Sequence, residues 1–159
     1  MDDLYRHLEM PPELAMEFMA TFSRAEHALK STAYAQGNEK GVVAAWDNFA
    51  NEIHKEFSHI TDASIIEAAN FLLESPPRKQ VLRDGKVEFN EQTIDQDQKR
   101  TQQLFLMIRT VRNNLFHGGK YLPHGENEVG RNEKLVRSAL AALKAGISLN
   151  DEVRVSFEH

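Results

Sequence analysis

The sequence predicts an all-α fold, a helical bundle of about five helices with one small β-hairpin insertion at 81–89. Three observations carry this expectation. Apolar residues recur at spacings of three and four through long stretches of the chain. Proline, glycine and asparagine punctuate the gaps between those stretches. No internal repeat or low-complexity linker divides the chain, so 1–159 reads as a single helical domain, with its tail at 147–159 extended or a short strand.

Each element has its own signal. Pro11-Pro12 precedes a helix over 13–36, whose stripe is Leu14, Phe18, Phe22, Ala25 and Leu29. Gly37-Asn38 and Gly41 end it. A second helix is expected over 42–57, with Val42, Trp46, Phe49 and Ile53 on one face. Thr61 or Asp62 starts a third as its N-cap, and this helix carries Ile65, Ile66, Ala69, Leu72 and Leu73 until Pro76-Pro77 stops it. Asp84-Gly85 lies between short β-prone pieces and reads as a hairpin turn, with an irregular loop as the alternative. A long fourth helix over 94–116 has the stripe Leu104, Ile108, Val111 and Leu115, closed by Gly118-Gly119. A polar loop to Gly130 leads to a fifth helix over 132–145, which buries Leu135, Val136, Ala139, Leu140 and Leu143.

Composition removes several function classes. Hydrophobic residues make up 41% of the chain and charged ones 27%, the balance of an ordinary globular protein. No apolar run has membrane-spanning length and no charged-then-apolar leader is present, so a cytoplasmic protein without membrane association is expected. The absence of cysteine excludes disulfides, thiolate catalysis and cysteine zinc sites. A net charge of −5 argues against non-specific nucleic-acid binding by the whole surface. The charge is uneven, however. Residues 99–137 hold eight bases and three acids, a local +5 on a body of −10. That zone is either an anion site or a pair of solvated helix faces.

The chemistry concentrates at Arg109-Thr110-Val111-Arg112-Asn113-Asn114-Leu115-Phe116-His117-Gly118-Gly119-Lys120. On a helical wheel centred on Val111, Asn113 and His117 fall at about 200° and 240°, one turn apart. Arg112 falls at about 100°, nearer the core, so arginine and histidine flank an outward face bordered by Phe105, Arg109 and Phe116. RNA carries its own nucleophile, the 2′-hydroxyl. A neutral histidine can take its proton, or an imidazolium can protonate the leaving 5′-oxygen. An arginine can grip the phosphate with two prongs and stabilise the added charge. One imidazole cannot be acid and base together, which motivates a two-fold dimer with a composite site. In the bland alternative, Arg112 pairs with a core carboxylate and His117 caps a helix C-terminus, where a cation is favoured. Other polar residues carry less. Glu26 either pairs with Lys30 or fixes an arginine of the site. His54 with His59, and His117 with His124, lack further ligands at metal spacing. Trp46 belongs to a core stripe.

The stretch Arg112-Asn113-Asn114-Leu115-Phe116-His117-Gly118 resembles the signature of the HEPN superfamily, small all-α domains marked by an arginine, a polar residue, three further residues and a histidine late in a helix. Phe22–Lys30 and Pro76–Gln80 agree with its plasmid- and phage-defence members. The resemblance implies a metal-independent endoribonuclease without a cofactor, homodimeric, and of toxin or defence type. It implies Arg112, Asn113 and His117 as catalytic residues. Arg109, Asn114 and Lys120 are the candidates for substrate contacts. The implied partners are an RNA substrate and a nucleotidyltransferase-like antitoxin. Because some members of the superfamily have lost activity, the alternative is an inactive HEPN-like module that binds RNA, nucleotide or a protein partner. A helical interaction protein in which the motif is incidental is the third reading.

Overall fold

The computed structural model describes residues 2–117 and 130–159. Among these the chain is mainly helical. The α-helices are α1 (Asp2–Tyr5), α2 (Pro12–Lys30), α3 (Trp46–Glu52), α4 (His54–Ser58), α5 (Ala63–Glu74), α6 (Arg100–Phe116), α7 (Arg131–Ser148) and α8 (Asp151–Glu158). Two antiparallel hairpins interrupt them, β1 (Ala35–Asn38) with β2 (Gly41–Ala44), and β3 (Lys79–Arg83) with β4 (Lys86–Asn90). The expected hairpin at 81–89 is present, turning at Asp84 and Gly85, both with positive φ. No helix among the described residues is long and apolar enough to cross a membrane.

Periodicity identifies the strongest elements. All five stripe residues of α2 are buried, as are all five named on α7. Asp62 caps α5 by accepting from the Ser64 backbone N–H at 2.9 Å, and the Ser64 hydroxyl and that N–H hold its carboxyl below the usual carboxylate range. Helix α5 stops just before Pro76-Pro77, and Arg131 Nη2 donates to the Pro76 carbonyl at 2.9 Å, tying the start of α7 to that stop.

Several expectations are corrected. More helices form than five. The first long helix ends at Lys30, and 35–44 forms a hairpin rather than helix ends. Gly37, at φ +136°, requires this geometry, because a Cβ there would sit 2.1 Å from the Gly41 carbonyl oxygen. The Asn38 side chain then accepts from the Lys40 N–H at 2.9 Å, a local turn that competes with helix. Val42 lies on this hairpin and is 51% exposed instead of core. The signature helix starts at Arg100, not 94, where Gln102 Oε1 accepts from the Lys99 N–H at 3.1 Å. The tail is helix α8, neither extended nor strand. Asn150 caps its start, Arg24 donates to the Phe157 carbonyl at 2.8 Å near its end, and Val153 is fully buried between. Tertiary anchoring thus overrides the β-propensity of the Val-Arg-Val run.

Helix α6 is the hub. It touches α2, α3, α4, α5, α7 and β3. Its buried arc is broader than the four-residue stripe and includes Phe105 and Met107, both with no exposed area. Phe105 does not border the outward face. Its ring packs edge-on to Phe49 (5.6 Å) and beside Trp46 (6.0 Å), and it closes on Gly146 of α7.

Two outcomes follow from this packing. A Cβ at Gly146 would stand 2.5 Å from Phe105 Cζ and 3.2 Å from Ile53 Cδ1, and the enclosed ring has nowhere to swing. Gly146→Ala gains helix propensity, yet overpacking outweighs it, and urea unfolding should show a net loss of about 1–2 kcal/mol. Tyr34 is 5% exposed and receives a hydrogen bond from Asn150. Burial, then the neighbouring Glu52 carboxylate, push its pKa from 10.0 up to about 12. The fold therefore holds the phenolic proton more tightly than the unfolded chain does. That stabilisation is complete below pH 10 and is lost as pH rises through about 12. Melting temperatures of Tyr34→Phe should decline less steeply over that window than those of the parent chain.

Candidate active site

The last turn of α6 carries the motif. Helix α6 is held by its buried arc, so the residues outside that arc face fixed directions. Asn113 and His117 are exposed. His117 is the C-cap residue, its backbone N–H donating to the Asn113 carbonyl at 2.9 Å. Its ring meets that of Phe116 edge-on at 5.2 Å, and Phe116 is 67% exposed. Nothing among the described residues hydrogen-bonds either the His117 ring or the Asn113 amide.

Arg112 points the other way, toward α2. Its guanidinium carbon lies 4.9 Å from the centre of the Phe22 ring, and Nη2 lies 4.0 Å from Glu26 Oε1. The two side chains of the ion pair are 28% and 31% exposed. Glu26 lies at the outer limit of an ion pair with this arginine and makes no direct hydrogen bond to it. Phe22 belongs to the core stripe of α2 and also contacts the motif arginine. Its ring also stacks on Trp46 at 5.1 Å and so links the guanidinium to the aromatic core.

The neighbouring candidates are engaged as well. Arg109 Nη2 donates to Asp47 Oδ1 at 3.1 Å, and its Nε is buried with no partner among the described residues. Asn114 is half-buried, and its Nδ2 donates to the Arg78 carbonyl at 2.7 Å, which anchors the segment just before β3. Lys120, Gly118, Gly119 and His124 lie outside the described residues. Sequence reasoning gave no signal for Asp47 or for the Arg78 carbonyl, because both reach α6 only through tertiary packing.

Much of the basic zone is likewise internally occupied. Arg100 bonds Asn70, Arg137 bonds Glu133, Lys134 sits 4.2 Å over the Phe71 ring and Arg131 bonds backbone carbonyls. Among the described residues no three His, Asp or Glu side chains come together at metal-ligand spacing.

The motif therefore brings Asn113 and His117 onto one exposed face and sets Arg112 on another. Five residues of helix place the arginine and the histidine about 140° apart and about 7.5 Å along the axis. One chain alone presents them in different directions.

The environment of Arg112 separates a held side chain from a buried one. A pair this exposed and this long should couple weakly. A double-mutant cycle with Glu26→Gln and Arg112→Gln, read by chemical unfolding, should give a coupling below about 1 kcal/mol. A value of about 3 kcal/mol or more would assign Arg112 to the architecture.

No protein-family model, curated protein or solved structure matches the chain.

Proposed function

We propose that this chain is a metal-independent endoribonuclease of the HEPN type, acting in the cytoplasm as a toxin or defence protein. The observation that carries this reading is the state of the motif: His117 and Asn113 exposed at the end of α6, and Arg112 held by Glu26 and Phe22 while still 28% exposed. The arginine is held in place, while the histidine and the amide stay open to a ligand on a different face of the same helix end.

In the proposed reaction the 2′-hydroxyl of RNA attacks the adjacent phosphorus. Its proton passes to one imidazole, and the P–O5′ bond breaks as the 5′-oxygen takes a proton from a second imidazolium. Arg112 neutralises the extra charge on the phosphoryl oxygens, and Asn113 orients the ribose or phosphate. Because Arg112 and His117 of one chain face apart, a two-fold dimer supplies the second imidazole and the complementary arginine. Arg109 and Asn114 act mainly through the site's shape, and Lys120 is a further phosphate contact. A nucleotidyltransferase-like antitoxin is the proposed partner.

A second reading has its own support. Arg112 and Arg109 already have carboxylate partners, in Glu26 and Asp47. A phosphate must compete with those acids, which suits an inactive module that binds RNA, nucleotide or a protein partner.

Cleavage of total RNA separates the two. The ribonuclease should cut in the presence of EDTA and leave 2′,3′-cyclic or 3′-phosphate ends. His117→Ala should lose on the order of 10²–10⁴ in rate without a fall in melting temperature. Arg112→Lys should also be crippled, since an ammonium lacks the two-pronged grip. Light scattering should show a dimer. A monomeric protein that leaves RNA intact, or a fully active His117→Ala, rejects the proposal.

A further inference from the structure

Hairpin β3–β4 does not lie flat on the bundle. Between it and α6 runs an open groove of about 620 Å³. Its walls are unusual in composition. Val81 and Leu106 give it apolar surface, Gln80, Gln92, Asn113 and Asn114 contribute side-chain amides beside Asn90, whose Oδ1 accepts from Arg83 at 3.2 Å, Thr93 and Thr110 contribute hydroxyls, and Lys79 and Glu91 cancel in formal charge. Such a lining does not select an anion. It selects an uncharged ligand with hydrogen-bond donors and acceptors on one edge.

Two of the amides have their orientation fixed. The Thr110 hydroxyl donates to the Leu106 carbonyl at 3.1 Å, so it can only accept from Gln92, whose Nε2 lies 2.8 Å away. Asn114 faces the Arg78 carbonyl, which also can only accept. Oε1 of Gln92 and Oδ1 of Asn114 are thereby left as acceptors with settled positions. Preset acceptors of this kind discriminate among ligands, since a mismatched edge leaves them unpaired.

The groove is also aligned with the motif. Leu106, Thr110, Asn113 and Asn114 span an arc of about 100° on α6, and His117 falls near the centre of that arc, about 6 Å beyond Asn113 along the axis. Arg112 lies well outside it.

We infer that the groove between β3–β4 and α6 receives an unstacked base of single-stranded RNA and sets which nucleotide is delivered to His117. Paired RNA does not fit this role, because its base edges are engaged and its major groove is too narrow for side chains to read. The inference rests on RNA being the ligand of this face, as proposed above.

Anisotropy of labelled oligoribonucleotides with the His117→Ala protein tests binding apart from cleavage. Among the four single-stranded homopolymers, one should bind at least about tenfold more tightly than the weakest, the worth of one or two base hydrogen bonds. Duplex RNA should not compete for that preference. Gln80→Ala, a side chain with no hydrogen bond to lose among the described residues, and Gln92→Met should each remove most of the preference while leaving the weakest homopolymer's affinity unchanged. Equal binding of all four, no binding, or a preference that both variants retain overturns the inference. If the unaltered chain cuts RNA but both variants keep its preference, the groove assignment falls and the ribonuclease stands. If the variants erase the preference but the unaltered chain never cuts, the ribonuclease falls and the groove assignment stands.

Discussion

The seating of Phe105 against Gly146 fixes the rotation of α6, and everything at the motif depends on that rotation. A fully buried ring wedged among Trp46, Phe49, Ile53 and a glycine has one orientation open to it. Side-chain positions on a helix are locked to one another at about 100° per residue. Once Phe105 is placed, Leu104, Ile108 and Val111 are forced inward, and Asn113 and His117 outward. Arg112 is left at the boundary over α2. The site is therefore positioned by core packing one to three turns away, and none of its own polar contacts has to do that work.

Those polar contacts have a different task. Arg112 rests on the Phe22 face at 4.9 Å with Glu26 at 4.0 Å. A cation–π contact contributes about 0.5–1 kcal/mol at such a partly exposed position, and the ion pair adds less than about 1 kcal/mol. Together they restrict the long side chain without burying it, since the carboxylate oxygen is 4.0 Å away and the guanidinium stays partly exposed. Arg109 contrasts with this. Its direct 3.1 Å bond to Asp47 and its buried Nε mark a side chain used to join α6 to α3.

What the sequence made legible was whatever one helix or one turn decides by itself. The stripes of α2 and α7, the Asp62 cap and the Asp84-Gly85 turn needed no partner to be read. The motif itself was legible for the same reason, as residues four and five apart have fixed relations on any helix. The misread elements depend on contacts distant in sequence. Helix α8 forms where Arg24 and Asn150 secure its two ends, and Val153-Arg154-Val155 alternates like a strand when read alone. Phe105 looked peripheral because a stripe of four residues defines the minimum width of a buried face. The neighbours on α3, α4, α5 and α7 widen that face. The amide groove was equally hidden, since Gln80 and Gln92 reach Thr110 and Asn113 only after the hairpin folds back.

The motif's four polar residues thus divide by direction. Asn114 faces the hairpin and holds it through the Arg78 carbonyl. Arg112 faces α2 and is braced there. Asn113 and His117 face solvent along the groove. A helix cannot turn these faces toward one another, because a 140° separation persists for as long as the backbone hydrogen bonds of α6 hold. Among the described residues of one chain, the arginine and the histidine are therefore not presented to a common point. The exposed Phe116 ring stands beside His117, between the two directions. The two-fold dimer proposed for this chain takes its motivation from that divergence within a single helix.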